Sequence, residues 1–302
     1  MSDLWFHRYT LKSASALNAV SERREFAGAL IRIEEGFACL HPWPELGDAT
    51  LEESLSDLRG GCPNPLVERV RYCAQIDGEA RAEGRSLFEK MEVPLSHATL
   101  PKLDRGLLEE AIESGFSTVK LKSPDLTLLR AVLAHFPSLC FRLDFNGTST
   151  PETLIDAFSQ WTVEEKTRLD FLEDPIPFHE ETWRELRATL GIPLANDRSA
   201  ASDSGSDFLV LKPALDDLSA FSSQPARKIV TSYMDHPLGQ SFAAYEASRF
   251  EVSEICGLQT HGLFGKDAFI EQLGPVAPQF VPAGGTGLGF DDLLEALPWK
   301  KL

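Results

Sequence analysis

Positive charge is what this chain has too little of. Its 29 Lys and Arg face 46 Asp and Glu, for a formal net charge of −17. A balance of that sign argues against nucleic-acid or anionic-membrane partners, which are themselves polyanions. It leaves room for a small anionic carboxylate substrate, because the field inside a cleft is set by the few groups that line it. Cysteine is sparse as well: Cys39, Cys62, Cys73, Cys140 and Cys256 are odd in number and lack metal-ligand spacing. Reduced thiols in a cytoplasmic protein are therefore expected, rather than a disulfide framework. The first residues carry no basic-then-apolar signal, and no apolar run is long enough to span a bilayer. Low-complexity tracts are missing too.

What is present is an ordinary globular composition, 43% hydrophobic and 25% charged over 302 residues, enough for a sizeable core. Two packed units, one small and one large, are expected. Residues 4–12, 26–34 and 36–40 alternate like half-buried antiparallel strands. Thr50 with Glu53 forms a capping box ahead of Leu55 and Leu58, and Leu66, Val70 and Cys73 give helical spacing over residues 65–85. Between them lies a loop punctuated by Pro and Gly, residues 41–47, that bears Trp43.

From about Thr99 short apolar strands alternate with amphipathic helices. Helices are expected over residues 107–115, 126–135, 151–160, 180–190, 215–221 and 240–249, with strands between them, the last over 229–234. Such alternation predicts a parallel sheet closed as a barrel.

The polar residues of these strands carry the chemistry. In residues 117–123, Ser-Thr-Val-Lys-Leu-Lys-Ser, period-two alternation puts Lys120 and Lys122 on one face and Val119 and Leu121 on the other. Two ammonium groups on one strand end need carboxylates, a metal site or an anionic ligand opposite. The following strands end in Asp144, Glu173 and Asp197, and a fourth ends in Lys212. Barrel enzymes build their sites at the C-terminal ends of strands, and three carboxylates converging there suit Mg²⁺. Such a metal offsets the charge that develops when a proton α to a carboxylate is removed. Lys122 can act as the base if Lys120 and a divalent cation depress its pKa, and Lys212 can be a second acid/base or a cation facing the reacting group. Asp235 and His236 are adjacent on one backbone and read as a turn before Pro237, and His261 and the other histidines show no partner.

The order Lys-x-Lys, Asp-x-Asn, Glu-Asp-Pro, Asn-Asp and Leu-Lys-Pro resembles the enolase superfamily, within its muconate-lactonising subgroup, and is most like the o-succinylbenzoate synthase family. The resemblance covers nearly the whole chain. It implies an α+β capping domain over residues 1–95, a modified (β/α)7β TIM-like barrel over 96–283 and a segment returning to the cap over 284–302. By the resemblance Lys122 is the acid/base, Lys120 its electrostatic partner and Lys212 a cation stacked on the intermediate. Asp144, Glu173 and Asp197 would bind Mg²⁺, with Mn²⁺ as the alternative, while Ser232, Asn146 and Gly257 would contact substrate. The loop around Trp43 would close over the site. The implied activity is dehydration of 2-succinyl-6-hydroxy-2,4-cyclohexadiene-1-carboxylate to o-succinylbenzoate through a metal-stabilised enediolate, a step of menaquinone biosynthesis. The alternative is racemisation or epimerisation of N-acylamino acids or dipeptides. One departure stands out: Arg198 follows the third metal-binding position, where the family commonly has glutamate.

Overall fold

Period-two alternation in the first forty residues builds a small antiparallel sheet in this computed structural model, which describes residues 3–17, 21–122, 124–198, 200 and 205–302. Strands β1 (Leu4–Lys12), β2 (Glu25–Ile33) and β3 (Gly36–Leu40) pair in sequence. Glu34 takes a positive φ of 56° in the tight turn between β2 and β3. The expected capping box is formed at Thr50, opening α1 (Leu51–Gly60). Asn64 caps α2 (Pro65–Ala82), whose Leu66, Val67, Val70, Cys73 and Ala74 are buried. Helix and sheet approach closely: a Cβ on Gly36 would stand 1.8 Å from the Ala74 carbonyl oxygen, so only glycine fits there.

A parallel seven-stranded sheet follows in strict sequence order: β4 (Ala98–Leu100), β5 (Thr118–Lys122), β6 (Cys140–Asp144), β7 (Leu169–Glu173), β8 (Leu194–Asn196), β9 (Phe208–Leu211) and β10 (Arg227–Val230). Helices α3 (Arg105–Glu113), α4 (Leu126–Leu133), α5 (Pro151–Phe158), α6 (Val163–Lys166) and α7 (Glu180–Leu190) lie between them, followed by α8 (Pro237–Arg249) and α9 (Ala268–Leu273). Residues 255–258 close the ring. Gly257 N–H donates to Val230 O on one side, and on the other His97 N–H donates to Cys256 O, at 2.9 and 2.8 Å. The architecture is a modified (β/α)7β barrel with an α+β cap.

Two expected elements differ, and one helix is additional. Residues 215–221 form only a 3-10 turn, Leu218–Phe221, because the chain first folds back on Lys212: its carbonyl accepts from Leu215 and Asp216, and its N–H donates to Asp216 Oδ2 at 2.6 Å. The strand expected over 229–234 stops at Val230, since Thr231 and Ser232 turn to meet Gly257 and Met234 adopts φ 49°. Helix α6 was not anticipated; a four-residue turn capped by Thr162 and Glu165 is too short to show a period. The serine-rich stretch before Asp207 lies largely outside the described residues.

The C-terminus comes back to the cap. After α10 (Asp291–Glu295), strand β11 (Lys300–Lys301) pairs antiparallel with Trp5 and Phe6 of β1. Asp77 of α2 accepts from Leu288 N–H at 2.7 Å and from Phe37 N–H at 2.8 Å, so one buried carboxylate ties that return to the cap sheet. Gly287, at φ 55°, is where a side chain would strike it, 2.1 Å from Asp77 Oδ1.

Inside the ring, inward positions stack in layers. Phe171, Ala195, Phe208, Val210 and Ile229 form a plug of buried apolar side chains. One step further along the same strands stand Glu173, Asp197, Lys212 and Thr231. The apolar layer is thus the floor on which charge is assembled.

Candidate active site

A cavity of about 550 Å³ opens at the C-terminal ends of the strands, and all nine residues expected from the sequence line it: Lys120, Lys122, Asp144, Asn146, Glu173, Asp197, Lys212, Ser232 and Gly257. The alternation on β5 explains the first two, since Val119 and Leu121 belong to the apolar layer under the helices while both lysines face inward. A larger open groove of about 1180 Å³, along residues 88–95 and 248–255, holds none of them.

The three lysines have different surroundings. Lys120 Nζ donates to Glu173 Oε1 at 2.6 Å and lies 3.2 Å from Asp144 Oδ2. Burial works to discharge its ammonium, but the attraction of Asp144 and Glu173 outweighs burial and holds it above the ordinary lysine range. Lys212 is half-buried, ion-paired with Asp197, and raised, the attraction of Asp197 outweighing burial. Lys122 has no carboxylate within ion-pair distance among the described residues. Its Nζ donates to the Leu17 carbonyl at 2.6 Å and sits 3.7 Å from Met234 Sδ. Its pKa is lowered, by burial first and by the neighbouring Lys120 charge second; the sequence pointed to the Lys120 charge and not to burial.

The carboxylates outnumber their cations. Asp144 is held below the usual range because Lys120 and Lys122 overcome the burial that would raise it. Glu173 is pushed up to about 7 by burial, which Lys120 opposes and the Asp144 and Asp197 charges reinforce. Asp174 rises to about 8 through burial and the charges of Asp197 and Glu173.

No three His, Cys, Asp or Glu side chains converge at ligating distance among the described residues; Lys120 and Lys212 stand against the carboxylates instead. The residues nevertheless fit a divalent cation. Among the described residues Glu173 Oε2 is buried without a hydrogen-bond partner, beside two further carboxylates, and hard oxygen donors with surplus negative charge suit Mg²⁺ or Mn²⁺.

The remaining expected residues are placed as follows. Ser232 Oγ shares a hydrogen bond of 2.6 Å with Thr260 Oγ1. Asn146 accepts from Arg198 Nη2 at 3.2 Å, and its own buried Nδ2 has no partner among the described residues. Arg198, the departure from the family pattern, bridges Asn146 toward Asp174, its Nε 3.8 Å from Asp174 Oδ2. Gly257 offers space rather than a donor, because its N–H goes to Val230 O and its carbonyl accepts from Ser232. Trp43 is fully buried, its Nε1 donating to Tyr233 O at 2.8 Å, while Glu45 and Leu46 of the same loop line the cavity. Asp48 completes that tie by accepting from Trp43 N–H at 2.7 Å and from the Tyr233 hydroxyl at 2.9 Å.

Sequence reasoning missed His97, Thr99, Thr260 and Tyr233, all of which line the cavity. It also found no partners for the histidines, yet His97 Nδ1 lies 2.9 Å from Arg142 Nη1, and His261 meets Gln240 Oε1 and Gly274 O. His236 does serve the turn: its Nδ1 accepts from Leu238 N–H at 3.2 Å and caps α8.

Residues 4–80 match the family described as O-succinylbenzoate synthase, N-terminal domain, and residues 105–216 match the enolase C-terminal domain-like family. An o-succinylbenzoate synthase of Bdellovibrio bacteriovorus is 33% identical, over 100% of this chain and 99% of the relative. The chain belongs to the o-succinylbenzoate synthase family of the enolase superfamily. Solved structures of the superfamily share the fold of this family member. N-succinyl Arg/Lys racemase from Bacillus cereus superposes with a TM-score of 0.80 at 14% identity, covering 100% of both chains. The L-Ala-D/L-Glu epimerase from Bacillus subtilis gives 0.76 at 15% identity, covering 96% of this chain and 98% of its own.

Proposed function

We propose that the chain is an o-succinylbenzoate synthase, a carbon–oxygen lyase that dehydrates 2-succinyl-6-hydroxy-2,4-cyclohexadiene-1-carboxylate in menaquinone biosynthesis. The observation that carries this reading is the asymmetry of the lysines. Lys122 alone of the three lacks a carboxylate partner among the described residues and has a lowered pKa, so one side of the cavity holds a base and the other a fixed cation.

Asp144, Glu173 and Asp197 would hold Mg²⁺, which when bound supplies positive charge to the substrate carboxylate as its α-carbon loses a proton. Neutral Lys122 takes the C1 proton, and the electron pair of the C–H bond moves into the carboxylate. The pair then returns to form the ring C1–C6 double bond as the C6–O bond breaks. The new Lys122 ammonium gives its proton to the departing hydroxide, so water leaves, Lys122 is neutral again and the ring is aromatic. Lys120, locked between Asp144 and Glu173, keeps a positive charge beside the base; Lys212, locked on Asp197, faces the ring with the same sign.

A second reading has one observation in its favour: Lys122 and Lys212 line the same cavity, as a two-base racemase of N-acylamino acids requires, and N-succinyl Arg/Lys racemase shares the fold. The Asp197 ion pair counts against it, because a lysine held as an ammonium is a poor base. Incubation of both enantiomers of an N-succinylamino acid in deuterated buffer separates the two. The synthase reading expects Lys122-dependent exchange of one enantiomer at most. Exchange of both, one lost in Lys122→Ala and the other in Lys212→Ala, would establish the racemase instead.

A further inference from the structure

His97 precedes β4, and with Thr99 it faces the cavity while Ala98 between them packs outward. It is 3% exposed and wedged between Arg142, Lys120 and the closing Gly257. Arg142 decides its chemistry. The guanidinium is fully buried, donates to Asp170 Oδ2 at 2.8 Å and to Ile255 O at 2.7 Å, and lies over the Phe171 ring. A guanidinium has donors and no acceptor, so in the 2.9 Å contact between Arg142 Nη1 and His97 Nδ1 the imidazole must accept. Nδ1 is therefore unprotonated and the proton of the neutral ring is on Nε2. Burial and the Arg142 and Lys120 charges all act against a second proton.

The other edge of the ring meets Gly257. A Cβ there would stand 2.9 Å from His97 Cε1 and 3.0 Å from Nε2, so glycine leaves the imidazole edge uncovered at the wall of the cavity. His97 lines the cavity wall at this edge together with Gly257.

We propose that His97 is a substrate-binding residue, held by Arg142 as the Nε2–H tautomer so that it donates a hydrogen bond to a carboxylate oxygen of the dianionic substrate. This rests on the synthase reading for the identity of that carboxylate. It gives Gly257 a reason that differs from direct contact: the missing side chain exposes the donor. It also turns the buried Arg142 into a positioning residue whose effect on substrate passes through a ring nitrogen.

Two variants separate binding from architecture. In His97→Asn the side-chain oxygen replaces Nδ1 and keeps Arg142 satisfied, but nothing reaches the Nε2 position. In His97→Gln the amide nitrogen reaches Nε2 and restores the donor. Steady-state kinetics with the cyclohexadiene substrate, with calorimetric titration of o-succinylbenzoate, are measured for both beside wild type, together with melting temperature. His97→Asn is expected to raise KM and the product Kd roughly 10- to 100-fold, the worth of a hydrogen bond to a charged group, with little change in kcat or melting temperature. His97→Gln is expected to stay within a few-fold of wild type. Unchanged KM and Kd in a folded His97→Asn, or a loss confined to His97→Gln, would overturn the inference. Wild type that neither turns over the diene nor binds the product would instead bring down the synthase reading, and with it the assignment of the carboxylate.

Discussion

Lys120 and Lys122 stand two residues apart on the same face of β5, yet among the described residues only Lys120 meets carboxylates, Glu173 at 2.6 Å and Asp144 at 3.2 Å. The pair divides one motif into a permanent cation and a base.

Replacement of Lys122 by Ala is expected to lower kcat roughly 10²- to 10⁴-fold, the usual worth of a positioned acid/base, with melting temperature and Mg²⁺ affinity unchanged. Retention of turnover within tenfold would contradict the role given to Lys122.

The pH dependence of kcat reports the same group. Lys122 must be neutral to take the proton, so activity climbs with pH through its pKa, which burial and Lys120 set below the ordinary lysine value of about 10.4. A rising limb below that value, abolished in Lys122→Ala, is expected. A limb at the ordinary value would mean that the ammonium is not discharged by its surroundings.

The cap loop is held by Trp43, Asp48 and Tyr233. Trp43→Ala removes a fully buried ring and its bond to Tyr233 O, and is expected to cost about 3–5 kcal/mol in denaturant unfolding. Asp48→Asn leaves the ring in place but weakens the tie at the mouth of the cavity, where Glu45 and Leu46 stand, so it is expected to raise KM more than it lowers stability. Equal stability of Trp43→Ala and wild type would contradict this packing.

His236 is buried, its pKa pushed down to about 3 by burial first and then by His41 and His7. The unfolded chain takes up a proton near pH 6.5 while the folded chain refuses it, so this contribution is present above about 6.5 and drains away as pH falls toward 3. Asp235 beside it, raised to about 7 by burial, drives stability the other way, so a difference is the cleaner measure. Between pH 7 and 5 the stability of wild type relative to His236→Asn, which keeps a side-chain cap, is expected to fall by roughly 2 kcal/mol. A pH-independent difference would show that His236 titrates normally in the fold.

The strand ends were legible because a period of two carries its information locally: Lys-Leu-Lys needs no partner to say that both lysines face one way. The carboxylates were legible for the same reason, one at the end of each strand. His97 was not, because its meaning lies in Arg142, 45 residues away in sequence and by itself only one polar residue inside an apolar strand. Nor could local pattern show that Lys122 is bound by the Leu17 carbonyl, or that Gly257 spends both backbone groups on closing the ring. The length of the strand around Ser232 was over-read for a related reason: strand-favouring residues recur past Val230 at Thr231 and Tyr233, but tertiary pairing of Thr231 with Gly257 ends the strand there.

The most direct measurement is the ultraviolet absorbance of 2-succinyl-6-hydroxy-2,4-cyclohexadiene-1-carboxylate mixed with purified protein, first with Mg²⁺ and then with excess chelator. Rapid loss of the diene signal with Mg²⁺, its arrest by chelator and its recovery on adding Mg²⁺ back are the predicted results. A folded protein that leaves the diene unchanged at millimolar Mg²⁺ would contradict the account.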